Sequence, residues 1–172
     1  MVTLRCTQKL LTRMSETLSP TECPESTNAL GDWYCNLVRF GRSQVIICVS
    51  AQSYLMVMLP AAPAKEFGKR MNDRLYALLR RMDVPAEQAE AEIGVMQIQC
   101  YGKTQNRVKV GVMNQMVLDL GWHVTEPADE QQLTELEMHI SKSLYGGPNY
   151  TWPGPETKKL LAQRWGKAAQ LP

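Results

Sequence analysis

The sequence predicts an α+β fold, a mainly antiparallel sheet of about four or five strands flanked by helices in a single domain. Three observations carry that expectation. The 172 residues fall within the ~100–200 typical of one domain. Between residues 33 and 59, three apolar runs are separated by short polar turns, the pattern of an antiparallel meander. Residues 64–82 then place Phe67, Met71, Leu75, Leu78, Leu79 and Met82 at helical spacing.

Composition agrees, since 44% hydrophobic and 21% charged residues suit a chain with one real core rather than a disordered one. No segment approaches the ~18–20 uninterrupted apolar residues of a membrane helix. The first residues carry Arg5, Lys9 and Arg13 and lack the apolar core of a signal peptide. Five cysteines, at 6, 23, 35, 48 and 100, form an odd set with no Cys-x-x-Cys pair. The reading is of reduced thiols in a soluble, cytoplasmic protein without a membrane contact, with Cys48 and Cys100 serving as small hydrophobes.

Taken in order, Val2–Cys6 reads as a short strand and Thr7 as the cap of a helix over Gln8–Met14. Residues 15–32 hold two prolines and four acids with few large apolar groups, and read as a mobile surface loop that wraps the body or orders on binding. Trp33–Phe40, 45–49 and 54–59 form the meander, and the wholly apolar run Val45-Ile46-Ile47-Cys48-Val49 predicts a strand buried on both faces near the sheet centre. After the helix at 64–82, Pro85 opens an acidic helix ending near Gly94, followed by a strand over 96–101. Thr104 or Asn106 caps a helix carrying Val110, Met113, Met116, Val117 and Leu120. A further helix over 128–143 presents Leu133, Leu136 and Ile140. Residues 1–145 make the domain. Residues 146–172 make a Pro- and Trp-containing tail, with a short basic helix over 156–165 packing on it.

No metal-ligand spacing occurs, the two histidines, His123 and His139, lying sixteen residues apart. Walker, Gly-x-Ser-x-Gly and dinucleotide-binding motifs are missing too, so neither cofactor nor metal is expected. The least scaffold-like run is Gly102-Lys103-Thr104-Gln105-Asn106-Arg107, between a strand and a helix start. Free amides and the helix dipole favour an anion there, and Lys103 and Arg107 add charge; the alternative is a capped, solvated turn. Trp33-Tyr34-Cys35-Asn36 is the second such run. Trp33 is a core residue or a stacking platform, Asn36 lies on the opposite face, and Arg39 and Arg42 extend the meander with charge. The helix at 64–82 carries six cations against two acids, a solvated face or an acidic-partner face. Asn114 reaches back to the Lys103 loop or marks the edge of its helix's apolar stripe.

Three blocks resemble a family of small bacterial proteins classed as a domain of unknown function. These are Arg5-Cys6-Thr7-Gln8-Lys9-Leu10-Leu11, Trp33-Tyr34-Cys35-Asn36-Leu37 with Arg39 and Arg42, and Lys103-Thr104-Gln105-Asn106-Arg107 running on to Gly111, Met113 and Asn114. The resemblance spans most of the chain. It departs at Cys35, where the family tends to have Ala, and at Val108 and Val112, where it tends to have Ser. It implies a single α+β domain in which the second and third blocks matter, and it brings no activity with it.

Three functions follow as expectations. The first is a non-catalytic binding module whose basic site takes an anionic ligand, a nucleic acid or nucleotide, through Lys103, Thr104, Asn106, Arg107 and Asn114, with Trp33, Asn36, Arg39 and Arg42. The second is a metal-independent enzyme on phosphodiesters or nucleotides, with His123 or a carboxylate as proton carrier. The third is an assembly subunit meeting a protein partner through the acidic loop and the Trp152-Pro153-Gly154-Pro155 tail. The net charge of +2 conceals alternating blocks, among them +3 over residues 102–118 and −6 over 119–137, so a localised basic surface depends on how the chain folds.

Overall fold

A computed structural model describes residues 1–124, 128–146 and 149–166. The elements run β1 (Val2–Cys6), α1 (Gln8–Met14), β2 (Trp33–Phe40), β3 (Ser43–Ser50), β4 (Met56–Pro60), α2 (Phe67–Arg81), α3 (Ala86–Val95), β5 (Gln99–Lys103), α4 (Arg107–Gly121), α5 (Glu130–Ser141) and α6 (Pro153–Trp165). One five-stranded sheet has the order β4-β3-β2-β1-β5. The meander β2-β3-β4 is antiparallel, while β1 lies parallel to both β2 and β5. The fold is α+β in a single domain.

Side-chain alternation along each strand divides the apolar residues between two faces. On one face Leu4, Trp33, Cys35, Ile46, Cys48 and Val57 pack under α1, α2, α3 and α6. On the other, Tyr34, Val38, Ile47, Val49 and Met58 pack under α4 and α5. The apolar run in β3 serves both cores, as a strand with helices on each side must. β3 is interior, and the middle strand is β2.

Several boundaries move for local reasons. α3 ends at Val95, beside Gly94 as expected, and Met96 is buried behind it. The following strand is therefore displaced to Gln99–Lys103, and Lys103 belongs to β5, level with Cys6. Pro60 closes β4, which an edge strand tolerates because its N–H is not required by a neighbour. α6 begins at Pro153, since Pro suits a helix's first turn. This helix is built into the body: Leu161 reaches the core, and Thr157 Oγ1 donates to Ser53 Oγ at 2.8 Å.

The cysteine reading is corrected by a disulfide joining Cys23 to Cys100, with Cα atoms 5.9 Å apart and a sequence separation of 77. It removes the cysteine-based argument for a reducing compartment, because such bonds persist mainly where the surroundings are oxidising. Cys100 is thus a cross-link and not a small hydrophobe. Cys6, Cys35 and Cys48 are free, buried and in register across β1, β2 and β3. Burial pushes the Cys35 thiol up, and a hydrogen bond with Cys35 together with burial does the same at Cys6, so both stay protonated and inert.

The segment at 15–32 wraps the body. Ser19 N–H donates to Tyr101 O at 2.9 Å along the outer edge of β5, Thr3 Oγ1 donates to Pro24 O at 3.1 Å, and Thr27 N–H donates to Met1 O at 3.0 Å. Covering β5 in this way shields an edge that would otherwise offer unpaired backbone groups. Among the described residues, no helix is long and apolar enough to cross a membrane.

At the opposite edge, Glu137 of α5 lies buried against β4, accepting from Met58 N–H at 2.7 Å and from Arg74 Nε and Nη2 at 3.0 and 3.1 Å. Burial pushes its carboxyl up to about 7, and Arg74 and the Met58 amide restrain that rise. The folded value lies above the unfolded one, so between pH ~4.5 and ~7 the folded chain holds a proton that the unfolded chain releases. Stability from this group is greatest below pH ~4.5 and declines as pH rises to ~7, by on the order of 3 kcal/mol. Urea unfolding of wild type and Glu137→Gln across this range checks it: the wild type should lose stability relative to the variant as pH rises, and parallel curves would discard the account.

Candidate functional site

The adjacent strands β1 and β5 are parallel, and the helices that follow them leave in opposite directions. α1 packs on one face of the sheet and α4 on the other. In open sheets with this arrangement, the crevice outside the carboxyl ends of such strands is the usual ligand site. Here it holds Lys103 at the end of β5, the loop Thr104-Gln105-Asn106, and Arg107 at the start of α4. All five side chains are exposed.

The loop is held from below. Arg5, nearly buried at the end of β1, donates Nε to Asp32 at 2.8 Å and lies 3.5 Å by Nη1 from Lys103 O. Asp32 in turn accepts from Ser26 Oγ at 2.6 Å. A Cβ on Gly102 would stand 2.9 Å from Arg5 Nη1, so glycine is what lets the guanidinium lie across β5. Tyr34, under α4, uses its hydroxyl to accept from Asn106 N–H at 3.3 Å. Asn106 is the helix cap, its Oδ1 accepting from the Val108 and Lys109 amides at 2.9 and 3.2 Å. Those amides are therefore engaged within the chain, and charge in the crevice comes from the Lys103 and Arg107 side chains.

Beside the loop opens a cavity of about 530 Å³ lined by Tyr54, Gln52, Asn106, Lys109, Asn149 and Tyr150, among others. Lys109 Nζ donates to Tyr54 Oη at 3.1 Å, and the ammonium also lies 4.3 Å from a Tyr54 ring centroid. Tyr150 exposes its ring at the rim.

The structure brings only part of the sequence-derived set together. Lys103, Thr104, Asn106 and Arg107 are contiguous on the crevice. Asn36 lies close below them, its Oδ1 accepting from Thr7 Oγ1 at 2.9 Å at the end of β1. Asn114 is exposed two turns along α4 from Arg107, about 10 Å away on the same side of the helix. Trp33 is wholly buried among the residues beneath α1 and α2, and a ring in that position offers no face to a base. Arg39 and Arg42 sit at the β2–β3 hairpin. Arg39 is four residues, about 13 Å, beyond the level of Lys103, and on the opposite face of the sheet from Asn36. His123 follows the far end of α4, roughly 24 Å along the axis from Arg107, too far to exchange a proton with a group held there. In the tail, Pro153 and Gly154 are buried, while Trp152 is half exposed and Pro155 exposed.

Sequence reading missed Lys109, Tyr54, Tyr150 and the Arg5–Asp32 support. Lys109 continued the visible basic block. The others come from distant segments with no spacing to connect them. Among the described residues, no group of three or more His, Cys, Asp or Glu side chains could hold a metal ion.

Residues 3–156 match the family described as Domain of unknown function (DUF6933). The chain belongs to this family. No curated protein matches it. The DUF6933 match takes in all of the sheet but Val2, the Lys103–Arg107 block and the Tyr54–Tyr150 cavity, and ends within the first turn of α6.

Proposed function

We propose that the chain is a non-catalytic binding module for an anionic, phosphate-bearing ligand, a nucleic acid or a nucleotide. The observation that carries this reading is the switch point between β1 and β5, with Lys103 and Arg107 exposed at its mouth and an aromatic-rimmed cavity alongside. The two cations attract phosphate by charge. Tyr150 offers a ring on which a base can stack, and Gln52 and Asn149 offer amides to base edges. Since Asn106 occupies the Val108 and Lys109 amides in the first turn of α4, the phosphate contact falls to side chains and is sensitive to salt.

The test is binding of labelled single-stranded and duplex oligonucleotides and of a nucleoside triphosphate across a salt series. Affinity should fall as salt rises, and Lys103→Ala with Arg107→Ala should weaken binding at least about tenfold and reduce the salt slope by about two. The melting temperature should hold, because both side chains are exposed. Lack of binding at low salt, or equal affinity in the double variant, would overturn the reading.

A further inference from the structure

The outer side of α4 carries a second pattern that its packing on the sheet does not use. Val108, Gly111, Gln115, Leu118 and Trp122 recur at steps of three, four, three and four, the spacing of a helix seam that faces another helix. The buried residues of α4, Val112, Met113, Met116 and Leu120, lie on the other side. Of the large apolar residues on the seam, Val108 is 52% exposed, Leu118 71% and Trp122 88%, and Trp122 keeps right-handed helical dihedrals, so the seam runs past the last helical residue. Among the described residues, nothing stands within 4 Å of a Cβ built on Gly111. Isolated exposed apolar residues are ordinary, whereas three along one seam mark an interaction surface.

The order of these residues identifies the occupant. About Gln115 the seam is self-complementary when reversed: Gly111 meets Leu118, Val108 meets Trp122, and the Gln115 amide meets its own copy, each able to donate and accept. The Gly111–Leu118 and Val108–Trp122 pairings each set a larger side chain against a smaller one, which lets the two helices approach. We infer that two copies of this chain associate through antiparallel α4 helices about a two-fold axis at Gln115.

The available area supports this. Trp122 alone exposes about 200 Å², and the seam with its flanking Asn114 and Arg107 offers on the order of 600 Å² per copy. A symmetric pair therefore buries about 1,200 Å², at the lower bound for a specific interface. The pairing also carries a consequence for the crevice. Val108 lines the cavity beside Tyr150 and Lys109, so Trp122 of the partner subunit is seated at the cavity rim and adds an aromatic wall. The part played by that wall in ligand binding rests on the reading proposed above, and the association itself does not.

Sedimentation equilibrium of the full chain over a wide concentration range is expected to show a reversible dimer. Leu118→Glu and, separately, Trp122→Ala should raise its dissociation constant at least about tenfold while leaving circular dichroism and melting of the monomer unchanged. A register-specific measurement accompanies it. The native cysteines are buried or disulfide-bonded, so Gln115→Cys under a mild disulfide oxidant such as diamide should form a covalent dimer: two thiols lose two electrons and two protons, and diamide is reduced to the hydrazine. Gln131→Cys, on exposed α5, should not. A chain that stays monomeric throughout, a dimer indifferent to Leu118→Glu, or Gln115→Cys that cross-links no faster than Gln131→Cys would each overturn the inference. Oligonucleotide binding that survives in the monomeric Leu118→Glu protein would leave the ligand reading standing alone.

Discussion

Replacing Glu92 with alanine is expected to lower the melting temperature by about 8–16 °C. Glu92 lies on α3, wholly buried, and its carboxylate accepts four hydrogen bonds: from Asn28 Nδ2 and Leu30 N–H at 3.0 Å, Ala29 N–H at 2.8 Å and Trp165 Nε1 at 2.9 Å. One side chain thus ties the end of the wrapping segment and the C-terminal helix to the body. Alanine strands those donors, of which Asn28 Nδ2 and Leu30 N–H are fully buried and the Ala29 and Trp165 groups partly so, and each buried unsatisfied donor costs about 1–3 kcal/mol. A total near 4 kcal/mol is a large part of the 5–15 kcal/mol by which such domains are stable. Glu92→Gln should fall between, since the amide oxygen still accepts while its NH2 confronts a donor. Thermal and urea unfolding of the three proteins measures this. An alanine variant melting within about 2 °C of wild type would show that the cluster contributes little.

Breaking the Cys23–Cys100 bond should produce an effect of comparable size with a different signature. Closing a loop of 77 residues stabilises by about 4 kcal/mol in the chain-entropy account. Under denaturing, non-reducing conditions, thiol titration should find three free cysteines, Cys6, Cys35 and Cys48; five would refute the bond. Reduction, or Cys100→Ser, should lower the melting temperature and raise amide exchange chiefly over residues 16–26, while the meander keeps its protection. The backbone bond from Ser19 to Tyr101 and that of Thr3 to Pro24 remain to hold the segment loosely.

Both effects arise where the chain's ends and its longest loop meet the sheet, and that is where sequence reading was weakest. Residues 15–32 lack apolar periodicity, and on sequence alone that reads as mobility. Their order instead comes from partners far along the chain: Tyr101, Cys100, Glu92 and Arg5. The disulfide was invisible for the same reason, since a loop cysteine and a strand cysteine 77 residues apart share no spacing.

The binding surface divides in the same way. Lys103, Asn106 and Arg107 were legible as a polar block at a helix start, because capping chemistry and local charge are properties of neighbours in sequence. Trp33 and Arg39 were grouped with them through proximity along a strand, yet strand alternation and the 3.3 Å rise per residue send one into the core and the other away from the crevice. Tyr54, Lys109 and Tyr150 join the site only because α4 lies over β2 and the segment before α6 returns to the β3–β4 turn.

Several elements follow from local physics between neighbours along the chain. These include the meander from its apolar runs and turns, α1 and α2 from the spacing of Leu10, Leu11 and Met14 and of Phe67 through Leu79, and the helix start at Asn106. Tertiary structure alone decided that β1 enters the sheet parallel between β2 and β5. It also decided that α1 and α4 depart on opposite faces, and that Glu92 and the disulfide fasten the wrapping segment. Those outcomes depend on which distant surfaces exclude water together and which buried donors find acceptors, quantities that no window of neighbouring residues contains.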